Sequence, residues 1–258
     1  MLKNKVVVIT GGAGLIGKQF CDAIIKNNGT VIIADISEDM ARQVGQNIDP
    51  DALQSLCIKM DITSKKSISE AIKIIHQKYG KIDALVNSAY PRTASWGKND
   101  FFEMDFEDFC ANLRLQLGGY VLTSQQFSTY FKKQGYGNIV SISSIMGVYA
   151  PKFENYEGTN MTSGVEYSII KAGINHMTRW LAKYLANTNI RVNAIAPGGI
   201  YNATLPQPEV FLEKYRKCCT SKGMLDPQDI SGTLLYLLSD ASKYVNGQIL
   251  VVDDGWGL

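Results

Sequence analysis

Val6-Val7-Val8-Ile9-Thr10-Gly11-Gly12-Ala13-Gly14-Leu15-Ile16-Gly17 is the stretch from which the fold is read. Its β-branched run makes a short buried strand, and Gly12, Gly14 and Gly17 follow with G-x-G-x-x-G spacing. A segment with helical periodicity, roughly residues 15–28, comes next. In this strand–turn–helix setting small residues let the backbone turn tightly. They also let a pyrophosphate approach the helix N-terminus, where free N–H groups and the macrodipole favour anions. Glycine-rich turns are common, so the spacing gains weight from Asp35, which closes the next strand eighteen residues after Gly17. A carboxylate there accepts from ribose 2′- and 3′-hydroxyls and repels a 2′-phosphate. No arginine follows until Arg42, inside the next helical segment, so NAD is expected in preference to NADP.

Further apolar runs at Val31–Ala34, Leu56–Met60, Ala84–Val86, Ile139–Ile142, Val192–Ile195 and Ile249–Val252 read as buried strands. Helical periodicity occupies roughly 38–48, 65–79, 106–134, 164–187 and 227–239. Strand and helix alternate without repeat or linker. The expectation is an α/β chain of one domain, 1–258: a Rossmann-type, doubly wound parallel sheet of about seven strands with helices on both faces. Ligands in such sheets bind beyond the carboxyl ends of the strands.

At 45% apolar and 19% charged residues the composition is that of an ordinary globular chain, and a net charge of +2 gives no reason to expect nucleic acid. No apolar run approaches the roughly 18 residues of a membrane span. The apolar part of the N-terminus is too short for a signal peptide, so a cytoplasmic location is expected. Five cysteines without a CxxC pair suit reduced thiols. His76 and His176 stand apart from any cluster, so no metal site is expected.

Tyr167 and Lys171, four apart in a helical segment, share one face. A phenol titrates near pH ~10, and an ammonium nearby favours the phenolate, which makes the pair a candidate general acid/base. The spacing alone recurs by chance.

Taken together, Thr10-Gly11…Gly17, Asp61-Ile62, Asn87-Ser88-Ala89, Ile142-Ser143-Ser144, Tyr167…Lys171 and Arg191-Val192-Asn193-Ala194-Ile195-Ala196-Pro197-Gly198 resemble the short-chain dehydrogenase/reductase family over nearly the whole chain. The resemblance implies NAD(P)-dependent interconversion of an alcohol and a ketone. It makes Tyr167 the acid/base, Lys171 the group that holds the nicotinamide ribose and depresses the Tyr167 pKa, and Ser144 a hydrogen-bond partner of the reacting oxygen. It places the cofactor along Gly11, Gly12, Gly14, Leu15, Ile16 and Gly17, against Asp35 and Ile36, and at Asp61 and Ile62 for the adenine. Asn87 supports the site, Ser88 and Ala89 border the ribose, and Pro197-Gly198-Gly199-Ile200 receive the carboxamide, with Thr204 a further contact.

Three departures make the chain particular. Leu15 stands where the family's shorter members place glycine. This resembles the extended, epimerase-type subgroup, whose longer C-terminal domain does not fit in 258 residues, so the single-domain architecture is kept. Counting back from Ser144 and matching Gly119, the family's catalytic Asn falls on Gln116, with Asn112 one turn earlier as the competing choice. Gln carries the same donor and acceptor groups on a longer stem and could hold a shifted water that relays protons to Lys171. Finally, Ser144 and Tyr167 are 23 residues apart, longer than the family's usual spacing.

The additional residues lie in 149–163, at the mouth of the site. Substrate loops are expected at about 90–101, 148–163 and 199–224. Arg92, Trp96, Lys98, Lys152 and Tyr156 are the candidate contacts, with Arg92 or Lys152 able to meet a phosphate. Such polar loops suit a hydroxyl-rich ligand better than an apolar one. The insert also resembles a subgroup found in bacterial surface-glycan and flagellin-glycosylation pathways, which implies a phosphorylated or nucleotide-activated sugar. The competing expectations are a reductase of apolar acyl or steroid-like carbonyls and a catalytically silent NAD-binding regulator. By resemblance the chain forms a homotetramer or homodimer on segments 106–134 and 164–187, with Trp256-Gly257-Leu258 packing at a second interface.

Overall fold

Alternating side chains of each strand face opposite layers, and the computed structural model, which describes residues 1–97 and 100–258, sorts them accordingly. Seven strands, β1 (Val6–Thr10), β2 (Thr30–Asp35), β3 (Ser55–Lys59), β4 (Ala84–Asn87), β5 (Tyr136–Ile142), β6 (Asn189–Pro197) and β7 (Ile249–Val252), form one parallel sheet in the order 3-2-1-4-5-6-7. Val6 and Val8 point into one core with α3 (Lys65–Tyr79), α5 (Gly119–Gln134) and α6 (Val165–Tyr184). Val7 and Ile9 point into the other with α1 (Gly17–Lys26), α2 (Glu38–Ile48) and α8 (Ser231–Leu238). The doubly wound single-domain fold expected from the sequence is the fold observed.

The strand order reverses between β1 and β4, so their carboxyl ends open a crevice there. The two ends approach closely. Gly11 has φ +64°, and a Cβ on it would lie 2.6 Å from Ala89 Cα. The Thr10 hydroxyl accepts from the N–H groups of Ser88 and Ala89 at 3.0 and 3.2 Å, fastening the two strand ends together.

Two elements differ from the sequence pattern. The segment 106–134 is not one α-helix: α4 (Phe106–Leu113) passes through a π-helical turn, Arg114–Gly118, into α5. A further helix, α7 (Glu209–Lys217), lies where only a loop was expected. Its two buried residues, Phe211 and Tyr215, join neither core of the sheet but a third, smaller one with Ile145 and Trp256. Its other seven positions are largely charged, so the apolar signal of α7 is two aromatics one turn apart.

Candidate active site

Ser144 follows β5 and caps a 3₁₀ turn, Ile145–Gly147, its Oγ accepting from Met146 N–H at 3.1 Å. This loop is pressed onto α6. Ser143 Oγ donates to the Lys171 carbonyl at 3.0 Å, and Asn175 Nδ2 donates to the Gly147 carbonyl at 2.9 Å. A Cβ at Gly147 would lie 2.5 Å from the Lys171 carbonyl carbon, so only glycine permits the approach. The strand that carries Ser144 is thereby docked on the helix that carries Tyr167 and Lys171, and the three residues are brought together.

Lys171 is 4% exposed, and its Nζ donates to the Ile142 carbonyl at 3.0 Å. Three rings surround the ammonium, with centroids 5.5 Å (Tyr90), 5.6 Å (Tyr167) and 5.9 Å (Tyr120) away. Burial pushes its pKa down to about 7. Burial also raises the Tyr167 phenol, a shift opposed by the neighbouring Ser144 hydroxyl and reinforced by the nearby Tyr156 phenol. Lys171 does not lower the Tyr167 pKa as expected: the direction is upward, because desolvation by burial is the largest contribution. Trp96 and Tyr90 stand edge-on to Tyr167 with centroids at 6.0 and 6.2 Å, and Arg92 lies 5.7 Å from the Tyr90 ring at the exposed rim. Lys98, named from the sequence in the same loop, lies outside the described residues.

Gln116 and Asn112 have opposite surroundings. Asn112 is fully buried: its Oδ1 accepts from Thr93 N–H, and its Nδ2 donates to the Thr93 hydroxyl and to Asp108. It pins the loop after β4 onto α4. Gln116, in the π-helical turn, is 1% exposed, and neither its Oε1 nor its Nε2 has a partner among the described residues. It lies one turn before Tyr120, whose ring flanks Lys171.

Along the expected cofactor path, the first turn of α1 has no side-chain cap and no acidic residue, leaving its N–H groups open to an anion. The Asp35 carboxylate accepts from Ala13 N–H and Ser37 N–H, both at 3.1 Å, so it is held at the glycine turn. Arg42 pairs with Glu38 instead. Ile36 is 61% exposed beside Asp35, whereas Ile62 is buried against Gly119. Asp61 Oδ1 accepts from Thr63 N–H and Oγ1. Asn87 is buried between Ser124, Thr123 and Ser141, a clamp joining β4 to α5 and β5. Gly198 N–H donates to the Val252 carbonyl and Gly199 N–H to the Tyr215 hydroxyl at 2.6 Å, while Thr204 is exposed and bonded to Asn202. These groups fit a dinucleotide. Among the described residues no His, Cys, Asp and Glu cluster could hold a metal, and no helix is long and apolar enough to cross a membrane.

The insert 149–163 and α7 fold onto one another as a roof. Tyr156 packs on Phe211 with centroids 5.2 Å apart, and Lys214 Nζ donates to the carbonyls of Glu154 and Glu157 at 2.8 and 2.9 Å. Lys152 is committed elsewhere than to a phosphate: its Nζ donates to the Trp256 carbonyl at 2.9 Å and lies 4.5 Å from the Trp256 ring centre. Trp256 is 1% exposed within the chain, between Tyr149 and Tyr215, so its ring is a keystone of the roof and not a free interface residue. Tyr215 and Trp256 are the positioning residues that the sequence reading missed; the only signal was the Phe211–Tyr215 pair.

Known proteins resemble the chain along its full length. A family profile described as enoyl-(acyl carrier protein) reductase matches residues 12–257. A post-translational flagellin modification protein A of Campylobacter coli is 55% identical over 259 residues, covering 100% of both chains. A 3-oxoacyl-(acyl-carrier-protein) reductase of Thermotoga maritima is 35% identical, covering 98% of each. Among solved structures, a short chain dehydrogenase from Leptospira borgpetersenii with bound NAD+ is 31% identical with a TM-score of 0.86, covering 100% of this chain and 94% of that one.

Proposed function

The chain belongs to the short-chain dehydrogenase/reductase family, an NAD(P)-binding oxidoreductase, and from that premise we propose that it interconverts an alcohol and a ketone on a phosphorylated or nucleotide-activated sugar with NAD. The observation that supports this reading is the docking of the Ser144 loop onto α6 at Lys171, which brings Ser144, Tyr167 and Lys171 into one neighbourhood. A dinucleotide held along the glycine turn and Asp35 would supply the hydride chemistry of the alcohol–ketone interconversion. Tyr167 takes the hydroxyl proton during oxidation and returns it during reduction, and Ser144 hydrogen-bonds the same oxygen. Lys171, given ribose hydroxyls as acceptors, is held as the ammonium and then favours the Tyr167 phenolate. Gln116, whose buried amide has no partner among the described residues, holds the water that returns protons toward Lys171, whereas the Asn112 amide is bonded to Thr93 and Asp108. Asp35 at the glycine turn favours NAD, because a 2′-phosphate would meet its carboxylate.

Features of the rim support the substrate class. Arg92 presents an exposed guanidinium beside the Tyr90 and Trp96 rings, a pairing of anion contact and aromatic wall suited to a sugar phosphate. The likeness to a flagellin modification protein supports the same class. Exposed Phe101, Phe102 and Leu205 favour a second reading, a reductase of apolar acyl or steroid-like carbonyls. A panel of nucleotide sugars, sugar phosphates and apolar ketones, followed by NADH formation or loss, tests both. Turnover of the sugars is expected, and turnover of the apolar ketones alone overturns the sugar reading. Tyr167→Phe should abolish turnover while NAD affinity stays within a few-fold; retained turnover removes Tyr167 from its role.

A further inference from the structure

Gln207, in the loop between β6 and α7, carries a polar atom that the fold leaves unused. Its Nε2 donates to the Ile200 carbonyl at 3.2 Å, while its Oε1 is buried with no partner among the described residues. A second unpaired group lies at Ile200 itself. Ile200 bridges Leu225 in parallel: Leu225 N–H donates to the Gly199 carbonyl, and Tyr201 N–H donates to the Leu225 carbonyl, each at 2.8 Å. In such a bridge the central residue's own N–H and C=O point to the opposite side. The Ile200 carbonyl is taken by Gln207, and its N–H donates to no acceptor among the described residues. An unpaired donor on Ile200 and an unpaired acceptor on the side chain bonded to Ile200 together complement a primary amide, which offers one oxygen and N–H donors.

We infer that Gln207 reads the carboxamide of the dinucleotide, its Oε1 accepting from the amide N–H while Ile200 N–H donates to the amide oxygen. The inference rests on the cofactor placement proposed above and adds a contact that lies outside every motif in the sequence. Its consequence is discrimination against a ring substituent that has the carbonyl but lacks the N–H.

Calorimetric titration of the full chain with NAD+, with its 3-acetylpyridine analogue and with ADP-ribose tests this in binding alone. The wild type should bind NAD+ about five- to tenfold more tightly than the acetylpyridine analogue, the size of one neutral hydrogen bond. In Gln207→Met that preference should fall to within about twofold, with ADP-ribose affinity unchanged as the check that the fold is intact. A preference preserved in Gln207→Met overturns the role of Gln207 and leaves the cofactor placement standing. Equal weakening toward all three ligands also overturns it, because the residue would then only shape the loop. A wild type without any preference overturns the carboxamide placement at Ile200, and Gln207 with it.

Discussion

Lys171 is the residue whose surroundings most constrain the chemistry. It is charged in the unfolded chain up to pH ~10.4, whereas burial brings its folded pKa down to about 7. Between those values the unfolded state binds more protons, so stability rises with pH, by at most ~1.4 kcal/mol per unit. The buried Cys21 thiol shifts upward and works in the opposite sense above its unfolded pKa, near 9. The window for Lys171 is therefore about pH 7 to 9. Over it, urea midpoints of the wild type should climb relative to those of Lys171→Met; parallel midpoints would mean that the ammonium is better solvated than its burial implies. Gln116 and Asn112 separate at the same scale. Gln116→Ala should slow turnover about tenfold or more while breaking no hydrogen bond among the described residues. Asn112→Ala should destabilise by ~1–3 kcal/mol by stranding Thr93 and Asp108. Turnover slowed only in the Asn112 variant would reverse the assignment. Asp35→Ala should weaken the preference for NAD over NADP, read as the ratio of kcat/KM values, and an unchanged ratio would move the ribose contact elsewhere.

The strands, the glycine turn and most helices were legible in the sequence because a doubly wound sheet buries its elements on one periodic face each. The π-helical turn was not. Residues Leu113 to Tyr120 carry no proline, and the Gly118-Gly119 pair weakens a helix without specifying a π-turn, whose effect is to widen one turn around Gln116. The roof was also hidden, for another reason. Lys152 meets Trp256 across 104 residues, and the apolar face of α7 covers the insert, not the sheet. No local pattern encodes such a pairing, so Lys152 read as a free cation. At this scale Lys214→Met should detach the insert from α7 by removing its bonds to the carbonyls of Glu154 and Glu157. Amide exchange in 150–163 should quicken while β1 to β6 stay protected, and unchanged exchange would assign the anchoring to Tyr156 and Phe211 alone.

For the whole molecule, the long helices α5 and α6 leave an outer face open. Trp180 and Tyr184 stack there with centroids 4.8 Å apart, 56% and 68% exposed. We propose this face as the place where copies of the chain join into a dimer or tetramer. Trp180→Glu should then lower the mass found by sedimentation velocity, and an unaltered mass would put the contact on another face.

The third core has a bearing on how the protein is put together in time. Its pieces come from residues 145–161, 211–224 and 256; Ile145 sits in the turn docked on α6, whereas the insert and α7 belong to neither of the cores that flank the sheet. Cooperative unfolding follows shared burial, so the insert and α7 can loosen while the two cores of the sheet remain native. The residues proposed to meet substrate thereby lie partly outside the cores that hold the sheet. Mild heat or denaturant should erase substrate saturation before it erases dinucleotide binding, and sequence change in the roof can alter what enters the site without spending the stability of the sheet beneath.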